Sequence, residues 1–266
     1  MKTKFLNTIV YLNVYPKIMN NLSTLLLFCL LTALFSCRDS PVEQPPRPNV
    51  IIILTDDQGW GDLSINGNTN IRTPNIDRLA EGGTRMDRFY VAPVCAPTRA
   101  GFLTGRYHFR TGVFGVTQGD EYMNTDEVTL ADIFKKGGYA TGCFGKWHNG
   151  SQYPYHPNGR GFDEFYGFTS GHWANYFNTT LDHNGKDEKT EGYINDVLTD
   201  KALEFIDDNK EKPFLCYIPY NTPHSPFQVP DQYYDTLKNR GISLLHRDPE
   251  KEHLGTTIAA LAMCEN

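Results

Sequence analysis

Residue types that can do hydrolytic chemistry fall in a few short segments, and the first of these is a pair of adjacent carboxylates. Asp56 and Asp57 follow an apolar run, with Thr55 between them and the run. Two neighbouring carboxylates repel each other unless a cation neutralises them, and a site built from oxygen ligands suits Ca²⁺ or, as the second choice, Mg²⁺. The alternative is a solvated turn, where such pairs are common. Asp56 and Asp57 are therefore candidate metal ligands.

A cysteine, a proline and an arginine come next in the segment CAPTR, residues 95–99. Pro97 suits the first turn of a helix, which places Cys95 at a helix N-terminus, where unpaired N–H groups and the helix dipole favour an anion. Arg99 lies one turn further on and can hold a tetrahedral oxyanion at the same place. The alternative is a small buried cysteine beside a structural arginine. The spacing thus predicts an anion site at Cys95.

Further basic residues follow the predicted strands. Lys146 and His148 come after one apolar run, and His224 comes after another. Each is either a group that acts on a ligand or a loop residue that only makes hydrogen bonds. His172, in the segment SGHWANY, either lines a pocket or belongs to a loop, and we expect His156 on the surface.

Short apolar strands and amphipathic helices alternate along the chain. Thr73 and Thr129 are candidate N-caps of two helices that end at glycines, and a third helix is predicted over residues 193–208. The alternation predicts an α/β fold with a mainly parallel sheet sandwiched by helices. Ligands bind beyond the carboxyl ends of the strands in such sheets, so we expect the polar segments at one edge. The predicted strands are residues 50–54 (VIIIL, expected to be buried on both faces), 88–91, 139–144 and 214–218.

Composition excludes some classes of function. The 266 residues carry a formal net charge of −6, and the basic residues form no run, so we expect no nucleic-acid partner. No CxxC pair is present, which argues against a metal–thiolate cluster. Cys143 and Cys216 lie inside apolar runs and are interpreted as core residues.

The N-terminal segment has the pattern of an export signal. Residues 25–35 (LLLFCLLTALF) have the length of a signal-peptide apolar region and are too short to span a bilayer comfortably. The segment LFSC that ends at Cys37 resembles a bacterial lipobox, in which the cysteine becomes lipidated. An ordinary signal peptide with a chance cysteine is the alternative. We expect a lipoprotein signal peptide over residues 1–36, a proline-rich tether over 37–48 and a folded domain over 49–266.

Lipidation of Cys37 would attach the protein to a membrane through its lipid anchor. The expected location is the bacterial cell envelope, either in the outer membrane or facing the periplasm.

Five motifs follow one another in a fixed order. They are PNV through DDQGWG (residues 48–61), TPNIDRLAEGG (73–83), CAPTRAGFLTGR (95–106), GKWH (145–148) and TPH (222–224). Together they resemble the signature blocks of the type I sulfatases, and five ordered blocks are far more specific than any one of them. The resemblance runs from about Arg47 to the C-terminus. It implies a fold similar to that of alkaline phosphatase, in agreement with the α/β pattern.

The resemblance implies a role for each matching residue. Cys95 matches the cysteine that a formylglycine-generating enzyme or a radical sulfatase-maturing enzyme oxidises to formylglycine (3-oxoalanine), whose hydrate is the nucleophile and a metal ligand. Arg99 matches the residue that stabilises the formylglycine and sulfate oxygens, and His224 is the favoured proton donor to the leaving alcohol. The other matches are the calcium-binding carboxylates Asp56 and Asp57 and the basic residues Lys146 and His148 around the sulfate.

The implied activity is hydrolysis of sulfate esters on polysaccharides or oligosaccharides, such as ulvan, carrageenan or glycosaminoglycans. Family members continue beyond the last block found here, with an Asp-Asn pair for the calcium and a lysine for the sulfate, so residues 49–266 are expected to be a partial catalytic domain, incomplete at the C-terminus. One alternative is an inactive remnant that at most binds carbohydrate weakly. Another is a phosphatase or phosphodiesterase of the wider superfamily, although such enzymes commonly use two metals and a serine or threonine nucleophile.

Overall fold

A single six-stranded sheet organises the residues that the computed structural model describes, which are 47–240 and 254–265. The strands are β1 (Val50–Asp56), β2 (Ala140–Lys146), β3 (Glu164–Phe168), β4 (Thr180–His183), β5 (Lys186–Lys189) and β6 (Phe214–Pro223). Their order in the sheet is β1-β6-β2-β3-β4-β5. The first four in that order are parallel, and β4 and β5 extend the sheet as an antiparallel hairpin. The mainly parallel sheet predicted from the sequence is confirmed.

Local sequence signals mark where some of the helices begin, although Thr73 makes no side-chain capping hydrogen bond. The helices of the described residues are α1 (Pro74–Gly82), α2 (Cys95–Thr104), α3 (Leu130–Lys136), α4 (Ile194–Asn209), α5 (Asp231–Asn239) and α6 (Leu254–Glu265). Thr129 caps α3, since its hydroxyl accepts from the backbone N–H of Asp132 while the Asp132 carboxylate accepts from the N–H of Thr129. The predicted bounds of α1, α3 and α4 are correct to within one residue.

Alternation along β6 shows why helices cover both faces of the sheet. Phe214, Cys216 and Ile218 point to one face, where they pack with buried residues of α4. Leu215 and Tyr217 point to the other face, where they pack with α2 and α3. Cys216 and, on β2, Cys143 are fully buried core residues, as the sequence predicted.

Two strand predictions were wrong. β1 is not buried on both faces: Ile51 is 51% exposed and Ile53 is 59% exposed, because β1 lies at the edge of the sheet and is covered on one side only. Residues 88–91 form no strand, and the side chains of Phe89 and Tyr90 are exposed. The apolar run there is short and stops before Pro93, so it pairs with no neighbouring strand.

The predicted signal peptide (1–36), Cys37 and most of the tether lie outside the described residues. The described chain begins with Arg47, whose guanidinium lies 5.4 Å from the ring centre of Tyr139. Within residues 47–240 and 254–265, no helix is both long and apolar enough to cross a membrane.

Candidate active site

The carboxyl ends of β1, β2 and β6 meet the N-terminus of α2 around one pocket. Cys95 is the first residue of α2 and is half-buried. Together with His148 and His224 it lines a pocket of about 480 Å³. Three residues that the sequence singled out separately therefore share one cavity, as expected for an open α/β sheet.

A buried ion cluster lies where β1 and β2 end. Lys146, the last residue of β2, places Nζ 2.5 Å from Oδ2 of Asp56, the last residue of β1. Arg99 reaches back from α2, and its Nη2 lies 3.3 Å from Oδ1 of the same carboxylate. A further hydrogen bond joins Arg99 Nη1 to the backbone oxygen of Lys146 at 2.7 Å. Asp56 thus holds both predicted sulfate-binding cations together.

The charges of this cluster do not cancel. Burial alone would raise the pKa of the Asp56 carboxyl, but Arg99 and Lys146 outweigh it and lower that pKa below its ordinary value. One carboxylate and two cations leave a net charge of +1. The two cationic side chains are each 1% exposed, so this charge is poorly screened by solvent. An anion in the adjoining pocket is attracted to it.

His148 is held as a neutral imidazole. Its Nε2 lies 2.9 Å from the backbone oxygen of Val116 and donates to it, which leaves Nδ1 as the unprotonated nitrogen. Burial, and then the charges of Lys146 and Arg99, lower its pKa from 6.5 to about 4. Nδ1 is buried and has no hydrogen-bond partner in the described part of the chain. His148 therefore carries a free lone pair at neutral pH.

His224 follows β6 in a loop that a buried tyrosine supports. The Tyr176 hydroxyl, on a residue that is 1% exposed, lies 3.0 Å from the backbone oxygen of His224 and 2.9 Å from that of Ser225. His224 Nδ1 donates to the oxygen of Ser225 at 2.8 Å, which directs Nε2 away from the loop, 3.7 Å from Oδ2 of Asp57. His224 is thus oriented by its own loop.

The structure also shows the positions of two other histidines that the sequence analysis considered. His172 lines the pocket, and its ring centre lies 5.8 Å from that of His224. The surface position expected for His156 was wrong: it is 8% exposed, and its Nε2 lies 3.0 Å from Asp182 Oδ2. A lone polar residue between prolines gives no sign in the sequence that another strand will supply a carboxylate.

The predicted metal ligands fit a hard cation in kind but not in number. Asp56 and Asp57 supply carboxylate oxygens at one place, as Ca²⁺ prefers. However, both oxygens of Asp56 contact cationic side chains, and the Asp57 side chain is 63% exposed. In residues 47–240 and 254–265, no three His, Cys, Asp or Glu side chains are grouped so as to hold a metal. Ca²⁺ usually takes six to eight oxygens, which this set does not provide.

Sequence reasoning missed Tyr176 and the residues that form the wall of the pocket. A buried tyrosine requires a hydrogen-bond partner, yet its own segment does not show that the partner is the loop of His224. Only the long-range arrangement of the chain makes that contact visible.

The family model for sulfatases matches residues 48–248. The chain belongs to the sulfatase family. It is 32% identical over 222 residues to the N-acetylgalactosamine-6-sulfatase of Mus musculus, which covers 72% of this chain and 43% of the mouse protein. It is also 31% identical over 252 residues to the N-acetylglucosamine-6-O-sulfatase of Bacteroides thetaiotaomicron, covering 88% of this chain and 44% of that protein.

Solved structures of similar proteins agree with this family assignment. The structure of Ps i-CgsB in complex with k-i-k-neocarrahexaose superposes with a TM-score of 0.71 at 34% identity, over 82% of this chain and 52% of that one. BT4656, solved with its substrate D-glucosamine-2-N,6-O-disulfate, superposes with a TM-score of 0.64 at 32% identity, over 73% and 38%. The chain spans less than half the length of these two curated relatives and about half or less of these structures.

Proposed function

We propose that this sulfatase-family chain acts in the hydrolysis of sulfate esters on glycans. The observation that carries the proposal is the shared pocket of Cys95, His148 and His224, which lies beside the buried Arg99–Lys146 pair. Two similar structures contain bound sugars, k-i-k-neocarrahexaose in one and D-glucosamine-2-N,6-O-disulfate in the other, and these support glycans as the substrate class. Algal polysaccharides such as ulvan or carrageenan, and glycosaminoglycans, are the polymers we would test.

The side chains of this site are suited above all to stabilising negative charge. The net +1 charge of the Asp56 cluster and the N-terminal amides of α2 attract the sulfate and stabilise charge that develops on its oxygens. Cys95 stands where both act. When Cys95 is converted to formylglycine, its hydrate supplies the hydroxyl nucleophile that an unmodified thiol does not provide.

Two histidines suit the proton transfers. His148 is neutral and keeps Nδ1 free, so it can hold or accept a proton close to residue 95. His224 lines the same pocket and presents Nε2 3.7 Å from Oδ2 of Asp57. We assign His224 the delivery of a proton to the leaving alcohol, since a poor leaving group departs from sulfur only when its oxygen is protonated.

Calcium is part of the proposal as a cofactor. Asp56 and Asp57 would hold it, together with oxygen donors beyond the residues described here, and it would supply additional positive charge at the sulfate. Binding of Ca²⁺ would compete with Lys146 and Arg99 for the Asp56 oxygens. Mg²⁺ is the second choice.

Sequence motifs support the proposed modifications of the chain and its proposed location. We propose that a formylglycine-generating or radical sulfatase-maturing enzyme modifies Cys95. We also propose a lipid anchor on Cys37, and a location in the bacterial cell envelope at the outer membrane or facing the periplasm, which would bring the enzyme to polymers outside the cell.

The deciding experiment is peptide mass spectrometry of Cys95 after co-expression with a maturing enzyme. We expect formylglycine at Cys95, while Cys143, a buried core cysteine of the same chain, stays unmodified and serves as the internal control. Sulfate release from sulfated oligosaccharides follows, with matched phosphate esters as the test for a phosphatase. An unmodified Cys95 under these conditions would reject the proposed nucleophile.

A second candidate is a catalytically inactive, weakly glycan-binding protein. It is favoured by the engagement of both Asp56 oxygens with cations and by the incomplete metal ligand set. Binding of a sulfated oligosaccharide without any sulfate release by Cys95-modified protein would select this candidate.

A further inference from the structure

The wall of the pocket differs in charge from the ion cluster beside it. The residues that line it include a single Asp or Glu, which is Glu121, and no lysine or arginine. The positive charge of the site therefore lies at one place, at Arg99 and Lys146, and the pocket wall carries a negative one. Besides Cys95 and the three histidines, the polar side chains of the lining are Thr117, Gln118, Glu121, Ser151, Thr169 and Ser170.

Glu121 is held in a fixed position relative to Cys95. Its Oε2 accepts a hydrogen bond from the backbone N–H of Gly119 at 2.9 Å. Its backbone oxygen accepts from Nδ2 of Asn149 at 3.3 Å, and the same Nδ2 lies 3.2 Å from the backbone oxygen of Ala96, in the first turn of α2. Asn149 is fully buried, so this link between Glu121 and the start of α2 is shielded from water.

The rest of the wall suits neutral sugar hydroxyls. Gln118, Ser151 and His172 are exposed and carry side-chain groups that both donate and accept hydrogen bonds. Such groups bind hydroxyls without adding charge. A sugar unit bound through one sulfate beside the ion cluster would thus meet neutral groups and the Glu121 carboxylate.

We propose that this pocket selects sugar units whose only anionic group is the sulfate bound at Cys95, and that Glu121 is the specificity-determining residue. This inference rests on the proposed function and names its substrate class. A second sulfate or a carboxylate on the same sugar ring would face Glu121 without a cation to compensate it. Like charges placed roughly 6 Å apart at a half-solvated site reduce affinity by about tenfold.

The test measures binding to protein made without a maturing enzyme, so that turnover plays no part. Two ligand pairs are used, each differing by one charge. The first is N-acetylglucosamine 6-sulfate against D-glucosamine-2-N,6-O-disulfate, and the second is N-acetylgalactosamine 6-sulfate against its 4,6-disulfate. For at least one pair we expect the monosulfated sugar to bind about tenfold more tightly in 50 mM salt, with a smaller ratio at 500 mM.

Variants assign the effect to one residue. Glu121→Gln keeps the acceptor for Gly119 but loses the charge, and the affinity ratio is expected to fall to about twofold. Glu191→Gln makes the same charge change at an exposed residue outside the pocket and is expected to keep the wild-type ratio. Ser151→Lys places a cation in the wall and is expected to reverse the preference. Circular dichroism checks that each variant folds.

The outcomes separate the two proposals. Equal binding of the two members in both pairs, or tighter binding of the disulfated member in both, would overturn the role of Glu121 and leave the proposed function standing. An unchanged ratio in Glu121→Gln would overturn it too. Absence of binding to all four sugars would reject the proposed glycan substrates and this inference with them.

Discussion

The β2–β6 side of the sheet and its β1 edge are built very differently. On the β2–β6 side, Lys146 and Arg99 are each 1% exposed and His148 is 2% exposed, and each has a partner that fixes its position. On the β1 side, the Asp57 side chain is 63% exposed and Ile51 is 51% exposed. The described residues therefore fix the cations and the neutral histidine by their own contacts, whereas they leave the second carboxylate largely in water.

This difference shows which parts of the site are fixed by the described residues alone. Charges that are buried and paired need all their partners, so their loss is expensive. Exposed groups tolerate exchange. Four pairs of variants test this contrast.

The largest effect is expected at the two adjacent carboxylates. Asp56→Asn leaves Lys146 and Arg99 buried without a counter-charge, which should lower the free energy of unfolding by about 3–5 kcal/mol. Asp57→Asn should change it by less than about 0.5 kcal/mol, because the residue is exposed and asparagine tolerates its φ of 67°. Urea denaturation at pH 7 measures both. Similar losses in the two variants would contradict the contrast.

Glycines on the two sides should respond differently to an added methyl group. A Cβ at Gly171 would lie 2.1 Å from Nε2 of His148, which is buried and bonded to Val116, so Gly171→Ala should cost about 1–3 kcal/mol. Gly61 lies on the β1 side with no atom within 4 Å of its Cβ position. Gly61→Ala is the matched control and should be nearly neutral. If thermal unfolding shows an equally lowered melting temperature for both variants, the packing around His148 is loose.

The pH dependence of stability tests the neutral state of His148. Its folded pKa of about 4 lies below the ordinary 6.5, so its contribution is complete above pH 6.5 and is lost as the pH falls towards 4. Between pH 7.5 and pH 5 this amounts to about 2 kcal/mol. His148→Gln should lose about that much less stability than the wild type over the same interval, by urea titration. The exposed His172→Gln serves as the matched control for the substitution itself. A His148→Gln profile parallel to the wild type would exclude this titration.

The smallest effect on stability is expected along the outer face of β1. Ile51→Thr removes a half-exposed apolar side chain and should change the free energy of unfolding by less than about 0.5 kcal/mol. Ile52, one residue on, is partly buried and packs against the core, so Ile52→Thr should cost about 1–3 kcal/mol. In the described residues no strand pairs with the outer edge of β1, so Ile51→Thr should also reduce self-association in light scattering at rising concentration. Unchanged scattering would show that this edge is not the contact.

Local signals predicted α1, α3, α4 and the strands β1, β2 and β6, but they missed β3, β4 and β5. Long-range contacts explain other features that they missed. The N-cap at Thr129 and the proline near the start of α2 were visible because such signals lie within a few residues of each other. The one-sided burial of β1 was not visible, since an apolar run does not show whether its strand lies at the centre or the edge of a sheet.

The same limit applies to the site. The sequence marked Asp56, Arg99 and Lys146 as separate metal-binding and sulfate-binding groups, and only the fold shows that the two cations hold the carboxylate. Glu121 had no distinguishing pattern at all. Its place in the pocket depends on Asn149, which lies 28 residues away in the chain.

The segment between β3 and β4 carries His172 at the pocket and, four residues later, the Tyr176 clamp on the loop of His224. A substitution at position 172 would change the pocket wall and leave the Tyr176 contact in place, whereas an insertion between the two residues would move Tyr176 relative to the loop of His224. New substrate preferences in descendants of this chain should arise there by substitution, and insertions should accumulate elsewhere.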